Sequence, residues 1–206
     1  MKTLCVDTTS DNMAVAVTTD DSIFTALNRE GRGSTSANII SCIDSALNNA
    51  SLRLKDMDYI GAVVGPGSFT GIRIGISVIN AFHLALNIPL ISISVFDVLS
   101  ADFEANALCI IDARHSCYYG AQYNCGQLSE QREYTLDEVA AFKGSVIVRG
   151  KYKNLEGFDN IISLDDAAYS DKLARVMLKK SKEKATVIYL IPLYMKLSQA
   201  ERNSKD

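Results

Sequence analysis

Short apolar runs broken by acidic turns open the chain, and stretches with an apolar residue every third or fourth position follow. Thr3–Val6 reads as a strand ending at Asp7, with Thr8, Thr9 and Ser10 behind it. Met13–Thr18 and Ser22–Leu27 read as two more strands, joined by a turn at Asp20-Asp21, and together the three predict an antiparallel meander. Ser34–Ala50 takes the helical period through Ala37, Ile40, Ile43, Ala46, Leu47 and Ala50. Ile39 and Cys42 widen that stripe, which predicts two buried faces on this helix. After the polar link Leu52–Asp58, the run Tyr59–Val64 predicts a buried strand that stops at Gly65-Pro66-Gly67. A helix follows from Phe69 to the stop at Ile88-Pro89, then a strand at Leu90–Ile93 and a helix capped by Ser94 that runs through Ser100. The order is βββαβαβα, and its βαβ links require parallel neighbours in one sheet.

A second, shorter unit restarts near Ala107. Leu108–Ile111 is a strand closing on Asp112, and Cys117–Tyr123 is its neighbour. Tyr134–Phe142 predicts a helix, Ser145–Val148 a strand, and Asp165–Lys180 a helix carrying Ala168, Leu173, Val176 and Met177. Tyr189–Met195 is a terminal packing segment around Pro192, and the polar tail Ser198–Asp206 is expected to fray. Strand–Asp–turn–strand therefore occurs twice, at Asp7 and at Asp112. The reading is an α/β protein of two unequal lobes, residues 1–104 and 105–206.

The helix after the glycine turn is apolar nearly all round, wetted only by Arg73, Ser77, Asn80 and His83. Either Ser68 or Thr70 can cap it. Ile72, Ile76 and Ile79 form one face, and Gly71, Gly75, Val78 and Phe82 form another. A glycine inside a helix costs about 1 kcal/mol relative to alanine, so two of them one turn apart call for close approach by something else. The expectation is a subunit interface built from Gly71, Ile72, Gly75, Ile76, Ile79 and Phe82, joined by Ile39, Ile40 and Ile43 of the earlier helix. The rival reading is that the C-terminal half of the same chain covers both faces.

A net charge of −3 argues against autonomous nucleic-acid binding, which needs a basic footprint. Cys5, Cys42, Cys109, Cys117 and Cys125 are scattered and odd in number, which reads as free thiols in a reducing cytoplasm. No transmembrane span or secretion signal is read from the sequence, and no membrane role is expected. The glycine turn matches neither a dinucleotide fingerprint nor a P-loop, although its N–H groups precede a helix N-terminus where an anion can bind. His83 and His115 lack the spaced partner that a zinc peptidase requires, and the run His115-Ser116-Cys117 makes no triad by adjacency. Lys179, Lys180, Lys182 and Lys184 read as a solvated helix end, favoured there by the helix dipole.

Duplicated lobes with an acidic residue ending strand one describe the actin-like (ribonuclease H-like) architecture. In its active members such aspartates hold Mg²⁺, and Asp7 and Asp112 are the matching positions; the alternative is that Asp7 caps its own turn. Several stretches together resemble one family within that architecture. VDTTSDNMAVAV resembles its opening strand pair, and GPGSFTGIRIGISVINAFHLALNIPLISIS its signature region, followed by VFDVLSA. DARHSCYYGAQY is similar to its D-A-R turn, and IPLYMKLSQAE to its closing segment, with Lys196 where an arginine is common. Gly33-Ser34-Thr35-Ser36 stands where relatives carry a His-Ser pair. The family is TsaB (YeaZ), the bacterial accessory subunit for threonylcarbamoyladenosine formation in tRNA.

The resemblance implies a non-catalytic scaffold that binds no cofactor by itself. Its expected partners are a catalytic TsaD-like subunit and a TsaE-like ATPase, which would carry the metal and ATP. It implies a homodimer in isolation, contact with tRNA only through the complex, and a cytoplasmic location. The competing readings are an actin-like ATP-binding enzyme and a glycoprotease-like peptidase.

Overall fold

Two six-stranded sheets organise the chain, and the second repeats the strand order of the first. The computed structural model describes residues 1–114, 117–150 and 152–195. The expectations placed on His115, Ser116, Lys196 and the tail 198–206 lie outside those residues. In the first sheet β1 (Thr3–Asp7), β2 (Met13–Thr18) and β3 (Ile23–Asn28) form the meander, with Thr3 opposite Thr18 and Asp7 opposite Ala14. After α1 (Thr35–Asn49), β4 (Tyr59–Val63) lies parallel to β1; after α2 (Phe69–Leu86), β5 (Leu90–Ile93) lies parallel to β4. The short helix α3 (Val95–Leu99) closes this unit, with Ser94 accepting from the Phe96 and Asp97 amides. The order βββαβαβα is present.

The second sheet is built from β6 (Ala107–Arg114), β7 (Cys117–Asn124), β8 (Gln127–Leu128), β10 (Ser145–Arg149) and β11 (Ile161–Leu164), in the order β11-β10-β6-β7-β8, with β9 (Arg132–Thr135) paired to β7. That order matches β5-β4-β1-β2-β3 of the first sheet, strand for strand. The lobes are unequal because the connections differ. Where the first lobe inserts α1 and α2, the second has only α4 (Leu136–Ala140) and a single helical turn at Lys153–Leu155. Tyr134 belongs to β9 rather than to a helix, because its ring is buried across Gly120 of β7; Thr135 caps the five-residue helix that follows. The fold is the actin-like one expected.

The helix α5 (Asp166–Lys182) lies with α3 between the two sheets. The sequence permits this because the strand faces beneath α5 carry small residues. Cys5, Ala14 and Ala16 face Tyr169, Leu173 and Met177, while Leu4, Val6, Met13, Val15 and Val17 face α1 and α2 on the opposite side. Both faces of β2 are buried, so the alternation along MAVAVT is one of size rather than polarity. Beyond α5 the chain adds β12 (Thr186–Val187) to the edge of the first sheet beside β5. Residues 188–195 then turn back along α2, where the Leu190 amide and carbonyl bond the Asn80 side chain and the Leu193 amide donates to the Val64 carbonyl.

Candidate functional site

Two surfaces stand out, the cleft between the lobes and the outer side of α2. The cleft, of about 1280 Å³, is lined by the Thr8–Asn12 turn, the start of α2, the end of β6 and Arg149, Gly150 and Tyr152. Its centre is an ion-pair network. Asp7 is fully buried; Oδ1 accepts from the Thr9 amide at 2.7 Å and Oδ2 from Arg149 Nη1 at 2.8 Å. Arg149 Nη2 donates to the Asn12 carbonyl at 2.9 Å and to Asp166 Oδ1 at 3.3 Å. Asp166 Oδ2 accepts from Asn12 Nδ2 at 2.9 Å and from Arg29 Nε at 3.2 Å.

The electrostatics follow from this packing. Burial opposes the charge on Arg149, but Asp7, Tyr169 and Asp166 outweigh it and raise the guanidinium pKa. Burial likewise pushes Asp166 up, yet Arg149, Arg29 and Asn12 bring it below the ordinary carboxylate value. The Tyr169 ring lies under the guanidinium at 4.0 Å, and its hydroxyl is buried beside Asp7. Burial and the nearby Asp7 charge hold that hydroxyl well above its usual pKa.

Asp7 therefore does cap its own turn, and its other oxygen is bonded to a guanidinium. That arrangement does not fit a Mg²⁺ ligand, since the cation's place is taken by Arg149. Asp112 is exposed at the far side of the cleft, and among the described residues no three His, Cys, Asp or Glu side chains group as a metal site. Cys5 and Cys109 are buried thiols, the second pushed up to about 12 by burial, so neither is a thiolate nucleophile. His83 Nδ1 lies 2.8 Å from the Ile88 carbonyl, and its ring meets Tyr189 edge-on. It holds the end of α2 against the returning chain. The free anion-binding amides expected at the glycine turn are partly used, because Ser68 caps α2 through the Gly71 amide and its own amide donates to the Thr9 carbonyl at 2.7 Å.

The outer side of α2 differs from the surface expected. Ile72, Ile76 and Ile79 are buried in the core with Gly71 and Gly75, and Ile39 and Ile43 are buried beneath α1. The two glycines flank the isoleucine stripe because Thr8 crosses there. A Cβ at Gly71 would strike the Thr8 carbonyl oxygen, and one at Gly75 would lie 2.5 Å from Thr8 Oγ1. The close approach that the glycines imply is thus made by this chain's own turn. Ile39 and Cys42 fall within one stripe with Ile43, Ala46 and Leu47, so α1 has one buried face and not two. Of the nine residues expected at an interface, only Ile40, 46% exposed, and the half-buried Phe82 reach the surface.

The C-terminal half does not wrap α2 either. Five of its 18 residues are buried, and Arg73, Ser77, Ala81 and Leu84 form an open stripe flanked by half-buried Ile74 and Val78. Leu84 is 69% exposed, and the returning chain exposes Ile188 at 80% and Ile191 at 73%. Near the start of α2, Tyr194 stacks on Phe69 at 4.6 Å and accepts from Arg73 Nε at 2.7 Å. The helix is also the one described element long and apolar enough to cross a membrane, with a mean hydropathy of 1.4. The glycine contacts with Thr8 instead lock it into the first lobe.

Comparison with known proteins adds to this geometry. Residues 33–156 match the family model described as "TsaD: tRNA N6-adenosine threonylcarbamoyltransferase". The chain is 26% identical over 224 residues to a Bacillus subtilis protein named tRNA threonylcarbamoyladenosine biosynthesis protein TsaB, covering 98% of this chain and 96% of that one. It is 36% identical over 97 residues to the Buchnera aphidicola protein of the same name, a match spanning 47% of this chain and 46% of its relative. Among solved structures, a Pseudomonas aeruginosa YeaZ superposes with a TM-score of 0.74 at 20% identity, covering 94% of this chain and 99% of that one. A second P. aeruginosa structure, titled as similar to peptidase YEAZ, gives 0.77 at 20% identity over 95% and 99%. At that identity, both likenesses speak to the fold.

Proposed function

The chain belongs to the TsaB (YeaZ) family and carries a TsaD-like region, and from that premise we propose that it serves tRNA threonylcarbamoyladenosine biosynthesis as a non-catalytic scaffold. Its task is to hold a TsaD-like catalytic subunit through the outer side of α2. The observation that carries this reading is the open outer side of α2, where Ala81, Leu84 and Leu86 stand exposed towards its C-terminal end. Burying one such side chain stabilises by about 1.5–3 kcal/mol, which favours a partner at that surface. The Arg149 guanidinium on Asp7 supports the non-catalytic half of the reading. ATP and metal then belong to the partners, a TsaE-like ATPase among them. With a net charge of −3, tRNA is contacted through the assembly in the cytoplasm. Alone, the chain pairs with a second copy through the same stripe.

Sedimentation velocity tests this reading. The purified chain is expected to run as a dimer and to shift to a mixed complex when a TsaD-like subunit is added; a monomer that ignores the partner would overturn it. Calorimetric titration with ATP and Mg²⁺ separates the enzyme alternative, since heat of tight binding followed by turnover would favour an actin-like ATPase.

A further inference from the structure

Outside the α2 stripe, the group that joins the most elements is the Arg149 guanidinium, at the end of β10 in the second lobe. Its side chain is only 8% exposed, and its bonds lead into the first lobe through Asp7 and the Asn12 carbonyl. Asp7 fixes the turn behind it by accepting from the Thr9 amide. That turn is the seat of α2. Thr8 Oγ1 donates to the Gly71 carbonyl at 2.6 Å, the Ser68 amide donates to the Thr9 carbonyl, and Gly71 and Gly75 admit no Cβ against Thr8. Guanidinium, carboxylate, turn and helix follow one another with a hydrogen bond or a backbone contact at every link.

The geometry points to Arg149 as the positioning residue of the pairing helix: an internal cation that ties the two lobes and thereby sets the pose of α2. In its functional half this rests on the reading that α2 is the pairing surface. A buried, fully bonded ion pair adds little net stability over an apolar pair of the same shape, but it specifies one arrangement of the elements it joins. Asp166, its side chain 16% exposed, holds the same turn through Asn12 Nδ2, and Arg149 bonds Asp166 as well, so one guanidinium joins both carboxylates that anchor the turn. The chain therefore holds the start of α2 in place with its own side chain.

Removing Arg149 alone leaves Asp7 buried and unpaired, so that variant can fail to fold. The test uses the double variant Asp7→Asn/Arg149→Gln in the full chain, with amide hydrogen exchange as the first readout and affinity for a TsaD-like subunit as the second. Exchange in residues 8–12 and 68–75 is expected to rise about tenfold or more while β4 and β5 keep wild-type protection. Pairing is expected to weaken about tenfold, and Arg149→Lys to fall between the double variant and wild type. Unchanged exchange over residues 68–75 would overturn the proposal, and raised exchange with unchanged pairing would overturn its functional half. Leu84→Glu in the same titration separates the two ideas: if it too pairs like wild type, the α2 surface assignment fails, while the exchange data still decide the role of Arg149.

Discussion

Alanine at Gly71 and at Gly75 should act in opposite ways once Thr8 is altered, and the contrast tests whether the glycines serve this chain's own packing. Either change gains about 1 kcal/mol of helix propensity. At Gly75 the new methyl meets Thr8 Oγ1 at 2.5 Å, so the hydroxyl must turn away from the Gly71 carbonyl that it bonds at 2.6 Å. Losing that bond costs about 1 kcal/mol and the crowding about another, leaving Gly75→Ala about 1 kcal/mol less stable than wild type. At Gly71 the obstacle is the Thr8 carbonyl oxygen, in a turn pinned by Asp7 and by the Ser68 amide. Crowding against backbone costs about 3 kcal/mol, so the net loss is about 2 kcal/mol. In urea at about 2–3 kcal/mol per molar, that moves the midpoint down by about 0.7–1 M for Gly71→Ala and by about half of that for Gly75→Ala. In a Thr8→Ala background the obstacle at Gly75 is gone, and Gly75→Ala should then raise the midpoint, whereas Gly71→Ala should still lower it. Equal effects in both backgrounds, or a Gly71→Ala protein as stable as wild type, would refute the packing argument and restore the glycines to an intermolecular role.

Leu190 anchors the returning chain at 3% exposure, and Leu190→Ala is expected to cost about 2–4 kcal/mol in chemical denaturation, with residues 188–195 losing their protection first. Asp166 carries a lowered pKa in the folded chain, so its contribution is present above the unfolded value, near pH 4, and is lost as the pH falls through the folded value. The melting-temperature difference between wild type and Asp166→Asn should accordingly shrink below about pH 4. A difference that grows on acidification would reverse the sign argued for the network.

The first lobe was legible because its signals are local. Strand alternation, the stop at Gly65-Pro66-Gly67 and the period of α2 placed β1 to α3 within a residue or two of their observed bounds. The second lobe was less so: β9, β11 and β12 are two to four residues long and take their form from the strands they pair with. The interface reading shows where periodicity stops. It marks Ile72, Ile76 and Ile79 as covered but does not say by what, and Thr8, more than 60 residues away in sequence, is what meets the glycines. The surface that remains open on α2 is marked instead by Ala81, Leu84 and Leu86, apolar residues that the same helical pattern does not distinguish from buried ones. Arg149 was missed altogether. Its only trace in the sequence is a basic residue ending the otherwise apolar strand Ser145–Arg149.

The account depends most on the outer side of α2 being the surface that a partner covers. Calorimetric titration of a TsaD-like subunit into Leu84→Glu, with Ile162→Glu on the distant second sheet as the control, addresses it directly. The account predicts that Leu84→Glu weakens pairing about tenfold or more, by leaving a charge in an apolar contact, while Ile162→Glu, at a residue 37% exposed, pairs like wild type. Wild-type affinity for Leu84→Glu would contradict it, and lost affinity for Ile162→Glu would move the partner's surface to the second sheet.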